Sequence, residues 1–82
     1  MIEIGQNLNI NNRRGVVCFT GNLNNTDYIN VCFDDNNEYK IYKITKDGED
    51  LILKAETDKN TISTLMAIWV SDELVSFSEE KE

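Results

Sequence analysis

Between Tyr28 and Glu56 apolar and β-branched residues gather in three short runs, Tyr28–Phe33, Glu38–Ile44 and Asp50–Glu56, separated by turn-forming residues. Short runs of five to eight such residues between turn signals are the mark of strands. Taking Asn36-Asn37 as a two-residue turn sets Phe33 opposite Lys40, Val31 opposite Tyr42 and Ile29 opposite Ile44. Taking Asp47-Gly48 as a second sets Ile44 opposite Leu51, Tyr42 opposite Leu53 and Lys40 opposite Ala55. The two turns are chosen independently. Both nevertheless put Ile29, Val31, Phe33, Tyr42, Ile44, Leu51, Leu53 and Ala55 on one face, with Lys40 the exception there, near the sheet end where its amine can reach water. The other face receives Asn30, Cys32, Tyr39, Ile41, Lys43, Ile52, Lys54 and Glu56. A one-residue slip would destroy the sorting. A three-stranded antiparallel meander is the expectation.

Upstream, Arg14–Thr20 carries Val16-Val17-Cys18-Phe19 and is expected to pair with Tyr28–Phe33 across a Gly21–Asp27 loop, with Val17 and Phe19 facing the core. Leu8 and Ile10 alternate with Asn7 and Asn9 and suggest a first strand. Asparagines cluster at Asn11-Asn12, Asn22, Asn24-Asn25 and Asn36-Asn37, where tolerance of positive φ and Asx-turn formation make them loop markers.

The segment Thr61–Phe77 supports two readings. Ile62, Leu65, Met66, Trp69 and Val70 fit a helical stripe, whereas Ile62, Thr64, Met66, Ile68 and Val70 alternate as in a strand. The Thr, Ile, Trp and Val content favours the strand, followed by one helical turn capped by Ser71 and a brief strand Val75–Phe77. The expected fold class is therefore all-β: a small barrel or strongly bent meander of five to six strands with a short helical turn near the C-terminus. The alternative is a β-meander plus a C-terminal helix, an α+β fold. Residues 1–77 form one domain and 78–82 a frayed acidic tail.

The order Ile4-Gly5-Gln6-Asn7-Leu8-Asn9-Ile10, then Arg14-Gly15-Val16-Val17, is similar to the opening of SH3-like barrels of the Tudor and KOW type. The ending Ile68-Trp69-Val70-Ser71-Asp72-Glu73-Leu74-Val75-Ser76-Phe77 resembles their close, a strand passing through one helical turn into a short last strand. The resemblance implies an SH3-like fold and a binding module rather than a reaction. It also allows a cage for a cationic side chain from Tyr28, Tyr39, Tyr42 and Trp69, although core packing for Trp69 and Tyr42 is the better expectation. The basic loop of the KOW type is missing here.

Composition narrows the function. The 82 residues hold 15 Asp+Glu against 8 Lys+Arg, a formal charge of -7, so affinity for a phosphate backbone is not expected. No His and two Cys leave no usual zinc set and remove the commonest neutral-pH base. Asp34, Asp35 and Glu38 crowd one turn, but without the spacing or mid-loop glycine of a calcium loop. No catalytic residue, metal or cofactor is expected. Cys18 and Cys32 fall on neighbouring strands and read as small apolar fillers, reduced in a cytoplasmic setting. The N-terminus has neither the basic nor the apolar part of a signal peptide, and no run approaches a membrane span.

These readings converge on a small acidic non-enzymatic module that docks on a protein partner and inhibits or regulates it, acting as monomer or homodimer. A basic or nucleic-acid-handling partner fits the charge. The Asn-, Ile- and Lys-rich usage is compatible with an AT-rich bacterial or phage genome. The expected interface is the outer sheet face with the acidic turn: Asp34, Asp35, Glu38, Tyr39, Ile41 and Ile52. The alternative is a nucleic-acid contact through Arg13 and Arg14 with exposed aromatics.

Overall fold

A computed structural model of the chain describes residues 2–80, with side chains through Ser71. Five strands, β1 (Asn7–Ile10), β2 (Arg13–Leu23), β3 (Thr26–Phe33), β4 (Tyr39–Asp47) and β5 (Asp50–Ala55), precede one helix, α1 (Lys59–Glu80). The strands form an antiparallel sheet in the order β1-β2-β3-β4-β5. The sheet curls into a half-barrel, and α1 lies on its convex side.

Turn chemistry explains the pairing. Asn11 and Asn12, and again Asn24 and Asn25, take φ between 53° and 64°. Two consecutive positive φ values define the tight turn whose twist suits a hairpin, and asparagine reaches them at low cost. Leu23 therefore pairs directly with Thr26, so β2 and β3 run through the segment expected as a loop. The Asn36-Asn37 site behaves differently. Only Asn37 has positive φ, and Asp34–Glu38 forms a wider turn closed by Phe33 N–H donating to the Glu38 carbonyl at 2.8 Å. The Asn36 side chain accepts from the Glu38 amide at 2.9 Å. At the other hairpin the turn residues are Gly48-Glu49, with positive φ at Gly48, and Asp47 pairs with Asp50.

Both hairpins are thus displaced by two residues from the expected register. Val31 faces Lys40 and Ile29 faces Tyr42, while Tyr42 faces Ala55 and Ile44 faces Leu53. An even displacement leaves every side chain on its expected face. The concave core accordingly joins Val17, Ile29, Val31, Phe33 and Tyr42, with Leu8, Ile10, Ile44 and Leu53 against it.

The convex face corrects two expectations. A bulge between Val17 and Phe19 sets Val17 opposite Val31 but Phe19 opposite Asn30. The extra residue inverts the alternation of β2. Phe19 and Leu23 therefore point at the helix rather than sharing the Val17 core. The segment 61–70 is helix, not strand, and the helix continues through the expected Ser71 turn and Val75–Phe77 strand to Glu80. Of the expected acidic tail, residues 78–80 belong to α1, and 81–82 lie outside the described residues. Asp58 caps α1, its carboxylate accepting from the Thr61 amide at 3.1 Å and hydroxyl at 2.7 Å. Ile62, Leu65 and Trp69 then cover Tyr28 and Ile41. Trp69 stacks on Phe19 at 5.5 Å and donates its indole N–H to the Thr20 carbonyl at 3.1 Å. Gly21 makes the approach possible, since a Cβ there would stand 3.3 Å from the indole nitrogen. Helix wins over strand because the convex face offers Phe19, Tyr28 and Ile41 to a single stripe, which a 3.6-residue period supplies.

Candidate functional site

The expected interface residues do not form one exposed surface. Ile41 is buried beneath α1 against Leu65 and Trp69, so it serves packing. Tyr39 and Ile52 remain exposed. The aromatics do not gather into a cage. Tyr42 meets Phe33 edge-on in the concave core, Tyr28 and the helix residue Trp69 pack between sheet and helix on the opposite face, and Tyr39 is at the surface.

The acidic turn and the arginine pair, expected as rival sites, are joined. The Arg13 guanidinium forks onto Asp35 with two bonds of 2.9 Å, reaches Glu38 at 3.5 Å, and lies 4.1 Å over the Phe33 ring. Arg14 stands 3.8 Å from Asp34, and Lys40 3.7 Å from Glu38. Three carboxylates thus meet three cations, and the cluster carries no net charge. Bidentate geometry over an aromatic face fixes the β2 start to the β3–β4 turn. The Arg13 hydrogen bond, above all, holds the Asp35 carboxyl below its ordinary range. Neither set is left with the unbalanced charge that steering of a basic protein or of a phosphate backbone needs.

Cys18, at the bulge, and Cys32 are free and half-buried. Burial, then the neighbouring Cys32, pushes the Cys18 thiol up, which keeps it protonated and weakly nucleophilic. Asn30 is 4% exposed, and its Oδ1 has no partner among the described residues. Among those residues no group of three or more His, Cys, Asp or Glu could hold a metal ion. Among the described residues no helix is long and apolar enough to cross a membrane.

A different surface is shaped to hold something. Hairpin connectivity puts the Asn24-Asn25 and Gly48-Glu49 turns at one end of the sheet and the acidic turn at the other. Between the first pair opens a cleft of about 560 Å³. Ile2, Ile29, Ile44 and Leu51 supply its apolar lining, and Asn22, Asp27 and Lys46 are among its polar groups. Asn22 donates to Asp27 at 2.8 Å, which orients one carboxylate oxygen. An apolar floor with a few fixed polar groups is the general form of a binding cleft. The sequence pattern alone does not show it, because a loop expected over Gly21–Asp27 parts the residues that β2 and β3 in fact pair. The signal was present: Asn24-Asn25 as a two-residue turn extends β3 to Thr26 and brings Asp27 beside Asn22.

No protein-family description, curated protein or solved structure matches the chain.

Proposed function

We propose that this protein is a small acidic, non-enzymatic binding module that holds a segment of a protein partner at the cleft end of the half-barrel and thereby regulates or inhibits that partner. The observation that carries the reading is the cleft itself. Its lining offers Ile2, Ile44 and Leu51 to apolar side chains, with Asp27 and Lys46 as its charged groups. The net charge of -7 favours a segment with apolar residues between lysines or arginines, that charge acting mainly on association rate. An SH3-like reading of the fold is compatible with the five-stranded curled meander, and barrels of that kind bind rather than catalyse. Nucleic acid is disfavoured because Arg13 and Arg14 are engaged with Asp35 and Asp34.

Calorimetric titration with a short amidated peptide alternating lysine and leucine tests the proposal, beside its glutamate–leucine counterpart and a single-stranded oligonucleotide. Binding of the basic peptide alone, weakened by salt, is expected. Binding of the oligonucleotide alone, or of neither peptide, overturns it.

A further inference from the structure

The β5 strand ends the sheet with an unprotected edge, and its sequence is complementary to itself. Glu56 N–H donates to the Ile41 carbonyl at 2.9 Å, in line with the β4–β5 register. Hydrogen bonding alternates along an antiparallel ladder. Asp50, Ile52 and Lys54 therefore bond inward to β4, while Leu51, Leu53 and Ala55 turn their N–H and C=O groups to the open side. Among the described residues no strand pairs there. Every β5 residue but Leu53 is exposed, including Leu51 at 41% and Ile52 at 45%. Natural edges of this kind are blunted by proline, bulges or charge pointing inward. The chain has no proline, and the pairing of β4 with β5 is unbroken.

The charges on β5 are badly placed within one chain. Asp50 lies directly opposite Asp47, and Lys54 directly opposite Lys43. Like charges at opposed positions destabilise a strand pair. Neither Asp50 nor Lys54 forms an ion pair among the described residues.

We infer that the partner of this edge is a second copy of the chain, β5 pairing antiparallel with β5 about a two-fold axis through Ile52. In that register Leu51 and Leu53 of the two copies exchange main-chain hydrogen bonds, which satisfies the outward groups of those two residues. Asp50 of each copy stands opposite Lys54 of the other, giving each charge the opposite sign it lacks in its own chain. The Ile52 side chains meet across the axis on the convex face. Such an isologous contact closes on itself, whereas β5 against the β1 edge would repeat without end. Leu51 belongs to both the edge and the cleft lining, so the dimer sets two clefts side by side.

Light scattering across micromolar to sub-millimolar concentration tests this on the full chain. The wild type is expected to approach twice the monomer mass. Asp50→Lys and Lys54→Asp each oppose like charges across the axis and raise the dissociation constant by about tenfold or more. The double swap Asp50→Lys/Lys54→Asp restores the dimer. Each variant keeps the wild-type far-UV dichroism, because these side chains are exposed and the changes relieve the like-charge pairs inside the chain. A wild type that stays monomeric overturns the inference, as does a dimer indifferent to the single substitutions or one that the double swap leaves broken. Peptide titration of the cleft reads a separate property, so either result stands without the other.

Discussion

Arg13 and Asp35 carry more of the surface logic than any other pair. The fork between them, laid over Phe33, turns two adjacent charged segments into a structural clamp between the start of β2 and the β3–β4 turn. Its signature is acid dependence. The hydrogen bond from Arg13 lowers the Asp35 carboxyl in the folded state, and bonds from Thr61 do the same for Asp58. A carboxyl whose folded pKa lies below its unfolded value adds stability that is present above the unfolded pKa and is lost as pH falls through the folded one. The melting temperature should therefore hold between neutrality and about pH 5 and fall below about pH 4, near the ordinary carboxylate range. Asp35→Asn should melt lower at neutral pH and lose less on acidification. An Asp35→Asn curve parallel to the parent's would contradict the clamp. Much at this scale was legible in the sequence. Asparagine at Asn11, Asn12, Asn24 and Asn25 marks turns because few other residues tolerate φ near 60°. What was not legible was that Asn36-Asn37 sits in a wider turn, since the Asn36 side-chain bond to the Glu38 amide depends on the closed hairpin around it.

The sheet and the helix divide the apolar residues between two cores. The concave core was legible because period-2 alternation survives an even register error, so Val31, at 0% exposure, was assigned to the right side by the wrong pairing. Val31→Asp should unfold the chain, since an unpaired carboxylate has no partner there. The bulge at Val17–Phe19 left no mark in the sequence. Val16-Val17-Cys18-Phe19 is apolar throughout, so either alternation fits, and only the presence of the helix core decides where Phe19 points. The helix itself was half legible. Its stripe and the alternating pattern share Ile62, Met66 and Val70, and the Asp58 cap reads equally well as a connecting turn. Burial under α1 also changes what a substitution at Ile41 does. Ile41→Asp, which an exposed Ile41 would tolerate, is expected to detach the helix, seen as a red shift of Trp69 fluorescence. Tyr39→Asp should leave the emission unchanged. Leu65→Ala should cost about 2–5 kcal/mol, a large part of the roughly 4–12 kcal/mol available to a domain of this size. Wild-type emission and melting in both Ile41→Asp and Leu65→Ala would show that α1 does not pack on this face.

At the scale of the molecule, the helix settles which side of the sheet is free. It occupies the convex face that the sequence had offered as an interface, and the clamp neutralises the charged end. Among the described residues the concave cleft is a shaped surface at the opposite end. Composition could not locate it, because a net charge of -7 says nothing of where the unbalanced acids stand. The most direct measurement is a methyl-labelled NMR titration with the lysine–leucine peptide. Shifts should concentrate on the methyl groups of Ile2, Ile29, Ile44 and Leu51, with Ile41, Ile62 and Leu65 unmoved. Shifts confined to Ile41, Ile62 and Leu65, or no shifts at saturating peptide, would contradict a binding cleft on the concave face.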